Sequence, residues 1–205
     1  MKWTFGIVTA GGQEDRIMLM IESIEKQNIP INDYEIIIVG NCKIQRNNLK
    51  NLDFNENIKP GWITRKKNMI SQVSFFNNVC LMHDYIILLD DWYKNFVNFG
   101  EDWDVCMNRI ERMDGKRYRD WTLWMPDNIP YEDHSRIKDM YVSGAYFCAK
   151  KQFLLQYPFD ENRVWGRGED LEWSMRVRGH WNYKCNSNSI VRLLKKPVCT
   201  TGCHD

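Results

Sequence analysis

Two apolar runs with one amphipathic run between them, all within residues 3–39, constrain this chain more than any other feature. Residues 3–9 (WTFGIVT) and 34–39 (YEIIIV) are almost wholly apolar, so each reads as a strand covered on both faces. Between them Ile17, Met20, Ile21 and Ile24 recur at helical spacing over residues 14–27, and the helix stops near Asn28 and Pro30. Buried strand, helix and buried strand make the βαβ unit of a parallel sheet, which predicts an α/β fold. In such sheets ligands sit beyond the carboxyl ends of the strands. Thr9, Ala10 and Gly11, after the first strand, and Gly40-Asn41, after the second, therefore belong to one edge.

Composition sets the outer limits. At 205 residues and 43% hydrophobic content the chain has the size and core of one domain. A net charge of +1 lacks the strong positive field of nucleic-acid binding, so no nucleic acid is expected as a partner. No apolar run approaches the ~18 residues that cross a membrane, so no transmembrane segment is expected. The opening MKWTFGIVTAGG reads as a strand rather than a leader. Seven cysteines at irregular spacing fit a reducing compartment better than a disulfide framework. The expected location is cytoplasmic, with peripheral membrane association left open. Cys199, Cys203 and His204 have no second close pair that would complete a zinc site. Nine tryptophans suit either a cleft that stacks on sugar rings or ordinary packing.

Further along, a short strand is expected near Leu52–Phe54 and a helix over residues 61–76, whose first turns carry Arg65, Lys66, Lys67 and Asn68. Cations at a helix start oppose the helix dipole, which leaves either a bound anion or a tolerated surface cluster as the explanation. Residues 78–85 form a strand running into His83-Asp84, and Ile86–Leu89 continue it. Asp90-Asp91 precede a helix with Trp92, Phe96 and Phe99 on one face and are expected to cap it. Asp84 has no helix to cap, which favours it for chemistry. A strand at 103–108, a turn at Met113–Lys116 and a return strand at 117–124 follow. Residues 125–139 read as a long surface loop and 140–149 as a strand whose Gly144 signals a close approach by ligand or backbone. After a short helix over residues 150–156 and the stretch below, residues 189–194 are expected to add a last strand.

Residues 164–176, VWGRGEDLEWSMR, place Glu169, Asp170 and Glu172 at the start of an amphipathic helix, behind two glycines. First-turn acids complement a helix dipole and need no further role; alternatively the loop delivers acids to a pocket.

With these segments in order, the chain resembles the GT-A glycosyltransferases, in particular the family-2-like inverting group, from about Phe5 to about Lys196. The resemblance rests on FGIVTAGG, YEIIIVGN, the basic turn TRKKN, the strand-end acid in CLMHDY, YVSGAYFCAKK and WGRGEDLEW. The last is also similar to the Trp-Gly-Gly-Glu-Asp loop of animal galactosyltransferases. Asp84 lies sixteen residues beyond Asn68, the family's spacing from the basic turn to its metal motif.

The resemblance implies a GT-A (Rossmann-like) mixed, mostly parallel sheet flanked by helices, with a nucleotide-binding half over about 1–100 and an acceptor half over about 101–205. It implies an inverting transfer from a nucleoside diphosphate sugar, most simply a UDP-sugar, to a hydroxyl of a glycan or other acceptor. Asp84 then holds Mn2+ or Mg2+, Asp170 is the general base, and Glu169 contacts donor or acceptor, the last two being exchangeable. Thr9, Ala10, Gly11 and Asn41 border the nucleotide, Arg65 and Lys67 neutralise the diphosphate, Asn68 belongs to the nucleotide-sugar site, and His83 lies beside nucleotide or sugar. Trp165 and Gly168, with Trp121 or Trp124, border the sugars. The family's late metal-binding histidine has no counterpart in the last strand, where Arg192 stands; either His204 supplies it, or Arg192 and Lys195 replace part of the metal's charge, or the shell has no histidine. The competing readings are a nucleotidyltransferase, which the acidic Gln13-Glu14-Asp15 after the first strand disfavours, and a non-catalytic sugar-binding protein on the same fold.

Overall fold

Eight strands form one curled sheet in the order β3-β2-β1-β4-β7-β6-β8-β5. The computed structural model describes residues 1–123 and 128–194. β1 (Trp3–Val8), α1 (Glu14–Glu25) and β2 (Tyr34–Val39) make the expected βαβ unit, with β1 and β2 parallel and in register from Trp3–Tyr34 to Val8–Val39. The four isoleucine and methionine positions of the helical stripe, Ile17, Met20, Ile21 and Ile24, are all buried against the sheet. β3 (Leu49–Leu52) extends the parallel set beyond β2, about three residues earlier than expected, and β4 (Asn78–His83) extends it beyond β1. α2 (Ile63–Val73) connects β3 to β4.

The second half interleaves with the first. β7 (Tyr146–Lys150) pairs antiparallel with β4 and with β6 (Val105–Glu111), while β8 (Tyr183–Leu193) runs parallel to β6 and antiparallel to β5 (Ile86–Leu88). Four of these seven pairings are parallel, so the sheet is mixed and mostly parallel. β5 follows β4 after only Asp84 and Tyr85, yet the two occupy the fourth and eighth places in the order. That link spans at most about 11 Å, so the far edge must curl back to the carboxyl end of β4. Here the expected continuous strand from 78 to 89 is corrected: it breaks at Asp84, which frees that residue from sheet pairing.

α3 (Trp92–Phe99) docks through an aromatic cluster, with Trp3 edge-on to both Trp92 and Phe96 at centroid distances of 4.9 and 4.7 Å. Its expected side-chain cap is absent: Asp91 sits at the N-cap with φ of 61°, makes no capping hydrogen bond, and pairs with Lys94 in solvent at 3.7 Å. α4 (Lys151–Gln156) and α5 (Glu169–Val177) complete the helices. The turn at 113–116 is confirmed by Arg112 N–H donating to Lys116 C=O at 2.8 Å, but the expected return strand at 117–124 is reduced over its described residues to isolated bridges. Buried Asp120 diverts that segment, accepting from Ile110 and Trp121 N–H, Arg117 Nε and the Tyr131 hydroxyl. Four donors on one carboxylate offset the cost of burying it and fix the segment to β6. Residues 140–145 lead into β7 without being strand, so it starts six residues later than expected.

Among the described residues no helix is long and apolar enough to cross a membrane. Most described tryptophans are packing residues: Trp3, Trp92, Trp103, Trp121 and Trp173 are buried, and only Trp165 is more than half exposed, at 53%.

Gly40 closes β2 against the end of β1. With φ of +141° and the carbonyl oxygen of Thr9 where a Cβ would go, no larger residue fits. Gly40→Ala is expected to destabilise the protein by about 3 kcal/mol, read from urea unfolding.

Candidate active site

The carboxyl ends of β1, β2 and β4 meet at one edge of the sheet, and each delivers a functional group there. Thr9, buried after β1, accepts from Gly11 N–H at 3.0 Å and donates its hydroxyl proton to Asp84 Oδ2 at 2.7 Å. A hydroxyl held on both sides leaves the Asp84 carboxylate one orientation. His83, the last residue of β4, shares a hydrogen bond between Nδ1 and the Tyr85 hydroxyl at 2.9 Å. Burial, with smaller contributions from Tyr118 and Asp84, pushes the Tyr85 phenol far above its ordinary range, so it stays protonated at every physiological pH.

A trough of three joined chambers follows this edge. The first, of about 600 Å3, is bordered by Ala10, Asn41 and residues 53–57. The second, of about 240 Å3, is bordered by Thr9, Ala10, Lys66, His83, Asp84 and Trp165 among others. The third, of about 290 Å3, holds Tyr85, Gly144, Gly168, Glu169 and Asp170, with Tyr118, Arg119 and Tyr141 opposite. Ala10 and Glu56 border both the first and second chambers; His83, Tyr85 and Trp165 border both the second and third.

The basic turn divides its cations by helical phase. Ile63, Lys66, Lys67 and Ile70 fall on the i, i+3, i+4, i+7 stripe and are all buried, whereas Arg65 is not. Lys66 Nζ donates to Thr9 C=O at 2.7 Å, pairs with Glu56, and borders the second chamber. Lys67 Nζ instead donates to Gly144 C=O at 3.0 Å and lies 3.7 Å from Glu169 Oε1. Arg65 pairs with Glu161 at 3.1 Å, and Asn68 bonds Glu161 and the Phe159 backbone. Arg65 and Lys67, expected at the diphosphate, and Asn68, expected at the nucleotide sugar, thus border none of the three chambers, because each is committed to the 159–169 segment or to Gly144. Of the basic turn, Lys66 is the cation that borders the trough; the buried stripe separates it from Arg65 but not from Lys67.

α5 opens at Gly168, whose φ is 64°, and its three first-turn acids separate. Glu172 pairs with Arg176 at 2.7 Å along the helix surface. Glu169 is buried beside Lys67; burial pushes its carboxyl up, Lys67 pulls it down, and Asp170 pushes it up again. Asp170 faces the third chamber, with Oδ2 accepting from Gly144 N–H and Oδ1 from Leu171 N–H, both at 2.9 Å. Each oxygen keeps a lone pair for a ligand proton. The close approach signalled at Gly144 is therefore made by the Asp170 side chain, which comes to 2.8 Å from where a Cβ would sit.

Other expectations are corrected. Trp121 is fully buried, its indole N–H donating to Asp133 C=O at 3.2 Å and its ring against Tyr183, so it offers no face to a sugar. Arg192 pairs with Glu111 at 2.8 Å; strand alternation turns it away from the trough that neighbouring Leu193 borders, so it does not replace a metal's charge there. Trp124, Lys195 and His204 lie outside the described residues. Trp165 does border the second and third chambers, its N–H anchored on Gly61 C=O at 2.8 Å. Among the described residues no group of three or more histidine, cysteine, aspartate or glutamate side chains converges as a metal site.

No protein-family model matches the sequence, and no curated protein matches it. Solved structures do. Over 96% of this chain, S. aureus TarS residues 1–349 superpose with a TM-score of 0.64 at 15% identity, and the same fragment in complex with UDP-GlcNAc with 0.63 at 17%. GalNAc-T7 with UDP, GalNAc and Mn2+ superposes over 96% with a TM-score of 0.71 at 12% identity. The chain has the GT-A fold of these glycosyltransferases. It spans 59%, 57% and 43% of the respective chains.

The buried pair generates a test. Lys67→Met strands the Glu169 carboxylate and is expected to cost about 3 kcal/mol at pH 8, most of it recovered in Lys67→Met/Glu169→Gln. The Glu169 carboxyl of the single variant is then held further above the ordinary carboxylate range, and a raised folded-state pKa stabilises below the unfolded value. Stability of that variant should therefore rise as pH falls from 8 to 5, measured by urea unfolding at each pH.

Proposed function

We propose that this chain is a glycosyltransferase that moves a sugar from a nucleoside diphosphate sugar, a UDP-sugar in the simplest case, to an acceptor hydroxyl with inversion. The observation that supports it is one trough with a carboxylate suited to a leaving diphosphate, Asp84, and a separate carboxylate suited to a proton, Asp170, in adjoining chambers. UDP, UDP-GlcNAc, GalNAc and Mn2+ in the neighbouring structures favour the same reading.

In this reading the nucleoside occupies the first chamber beside Asn41 and Ala10, and the diphosphate the second. A single half-buried carboxylate with one oxygen held by Thr9 suits Mg2+ or Mn2+, which take the rest of their shell from diphosphate oxygens and water. Asp84 would hold such an ion, which would supply positive charge to the departing diphosphate. Lys66 adds a protein cation at the same place, once its ammonium exchanges Glu56 for a phosphate oxygen. His83, Trp165 and Glu169 border the donor sugar, Lys67 holding the Glu169 carboxylate in place.

Asp170 takes the acceptor proton. Two backbone N–H donors fix its plane, so it meets the hydroxyl without reorganising. The acceptor oxygen attacks the anomeric carbon from the third chamber while the bond to the diphosphate breaks toward the second. Attack and departure on opposite sides give inversion. Glu169, buried and paired, is the poorer base of the two because its lone pairs are turned to Lys67.

Thermal melting tests the reading. UDP at a hundredfold excess over Kd, with Mn2+, is expected to raise Tm by about 5 °C or more. Asp84→Asn should lose the Mn2+-dependent part of that shift. No shift with UDP, GDP or TDP, with and without Mn2+, would overturn the proposal.

A further inference from the structure

The third chamber contains a cation that the transfer reaction does not use. Arg119 borders it together with Asp170, and Tyr141 lies under the influence of both, the guanidinium and the carboxylate acting on its phenol in opposite directions. Neighbouring arginines are committed: Arg112 holds Asp114, Arg117 holds Asp120, and Arg192 holds Glu111. Among the described residues no carboxylate lies within ion-pair distance of Arg119; its contact is with the Tyr118 ring, 6.0 Å from the guanidinium carbon.

The backbone keeps it there. On one side Tyr118 N–H is bonded to Ile110 C=O at 2.8 Å. On the other, Asp120 is locked by its four donors. Between these anchors Arg119 has φ of +21°, a positive value that arginine rarely adopts. A strained backbone that presents to a cleft a guanidinium paired with no described carboxylate is an arrangement suited to a ligand with a planar or tetrahedral anion.

Building on the glycosyltransferase reading, we propose that Arg119 is a specificity residue that binds an anionic group, carboxylate or phosphate, on the acceptor. The acceptor then carries a carboxylate or phosphate rather than being a neutral sugar. The anion is assigned to the acceptor and not the donor because Arg119, Tyr118 and Tyr141 border the chamber of Asp170 and not that of Thr9 and Asp84.

The test uses protein saturated with UDP and Mn2+, so that the diphosphate seat is filled, and titrates glucose, glucose 6-phosphate and glucuronate by calorimetry. The phosphate and the carboxylate sugars are expected to bind at least about tenfold more tightly than glucose, with Arg119→Gln removing the difference and Arg119→Lys keeping part of it. Equal affinity for all three, or a preference unchanged in Arg119→Gln, overturns the proposal. So does a preference for UDP-glucuronate over UDP-glucose that Arg119→Gln removes, which would put the anion on the donor. If UDP itself does not bind, the glycosyltransferase reading fails, and the same sugars titrated without UDP still decide whether Arg119 holds an anion.

Discussion

The arrangement depends on the two hydrogen bonds made by Gly144. Its carbonyl accepts from Lys67 on α2 and its N–H donates to Asp170 on α5, so one residue ahead of β7 ties both helices to the sheet. Only a residue without a side chain allows this, since the Asp170 carboxylate fills the space a Cβ would need. From that link follow the position of the α5 start, the burial of Glu169 against Lys67, and the presentation of Asp170 to the third chamber. The other end of the trough is fixed independently, through Thr9 and Asp84, at the parallel edge where GT-A folds collect their ligands.

Charge in the trough is arranged so that attraction and basicity do not interfere. The two lysines of one helical stripe are sent to different tasks: Lys66 to the edge of β1 and Lys67 to the acids of α5. Lys67 offsets part of the charge of the buried Glu169, which therefore stays in the α5 start without a solvent-facing partner. Asp84 and Asp170 stand in adjoining chambers, an arrangement compatible with the proposed displacement.

Much of this was legible in the residues. Buried strands WTFGIV and YEIIIV and the Ile17–Ile24 stripe dictated the parallel unit and its ligand edge, because continuous apolar strands have few other uses. Gly144 gave away a close approach, though not that an aspartate twenty-six residues on would make it. The basic turn was read as a cluster when its helical phase already separated Lys66 and Lys67 from Arg65. What sequence could not supply was long-range pairing: Asp120 looked like one more charge in RYRDW, and its burial under four donors is a property of β6 and Tyr131 rather than of its neighbours. The same holds for the Asp84 break, which arises because β5 belongs to β8 across the curl of the sheet.

The most direct measurement is the turnover of Asp170→Asn beside its affinity for UDP. UDP release from UDP-glucose, UDP-galactose and UDP-GlcNAc with Mn2+ is expected for the unaltered protein. The variant should bind UDP with the same Kd while its turnover falls by about a hundredfold or more. Turnover unchanged in the variant, or none from any donor in the unaltered protein despite UDP binding, would contradict the assignment of Asp170 as the base of a sugar transfer.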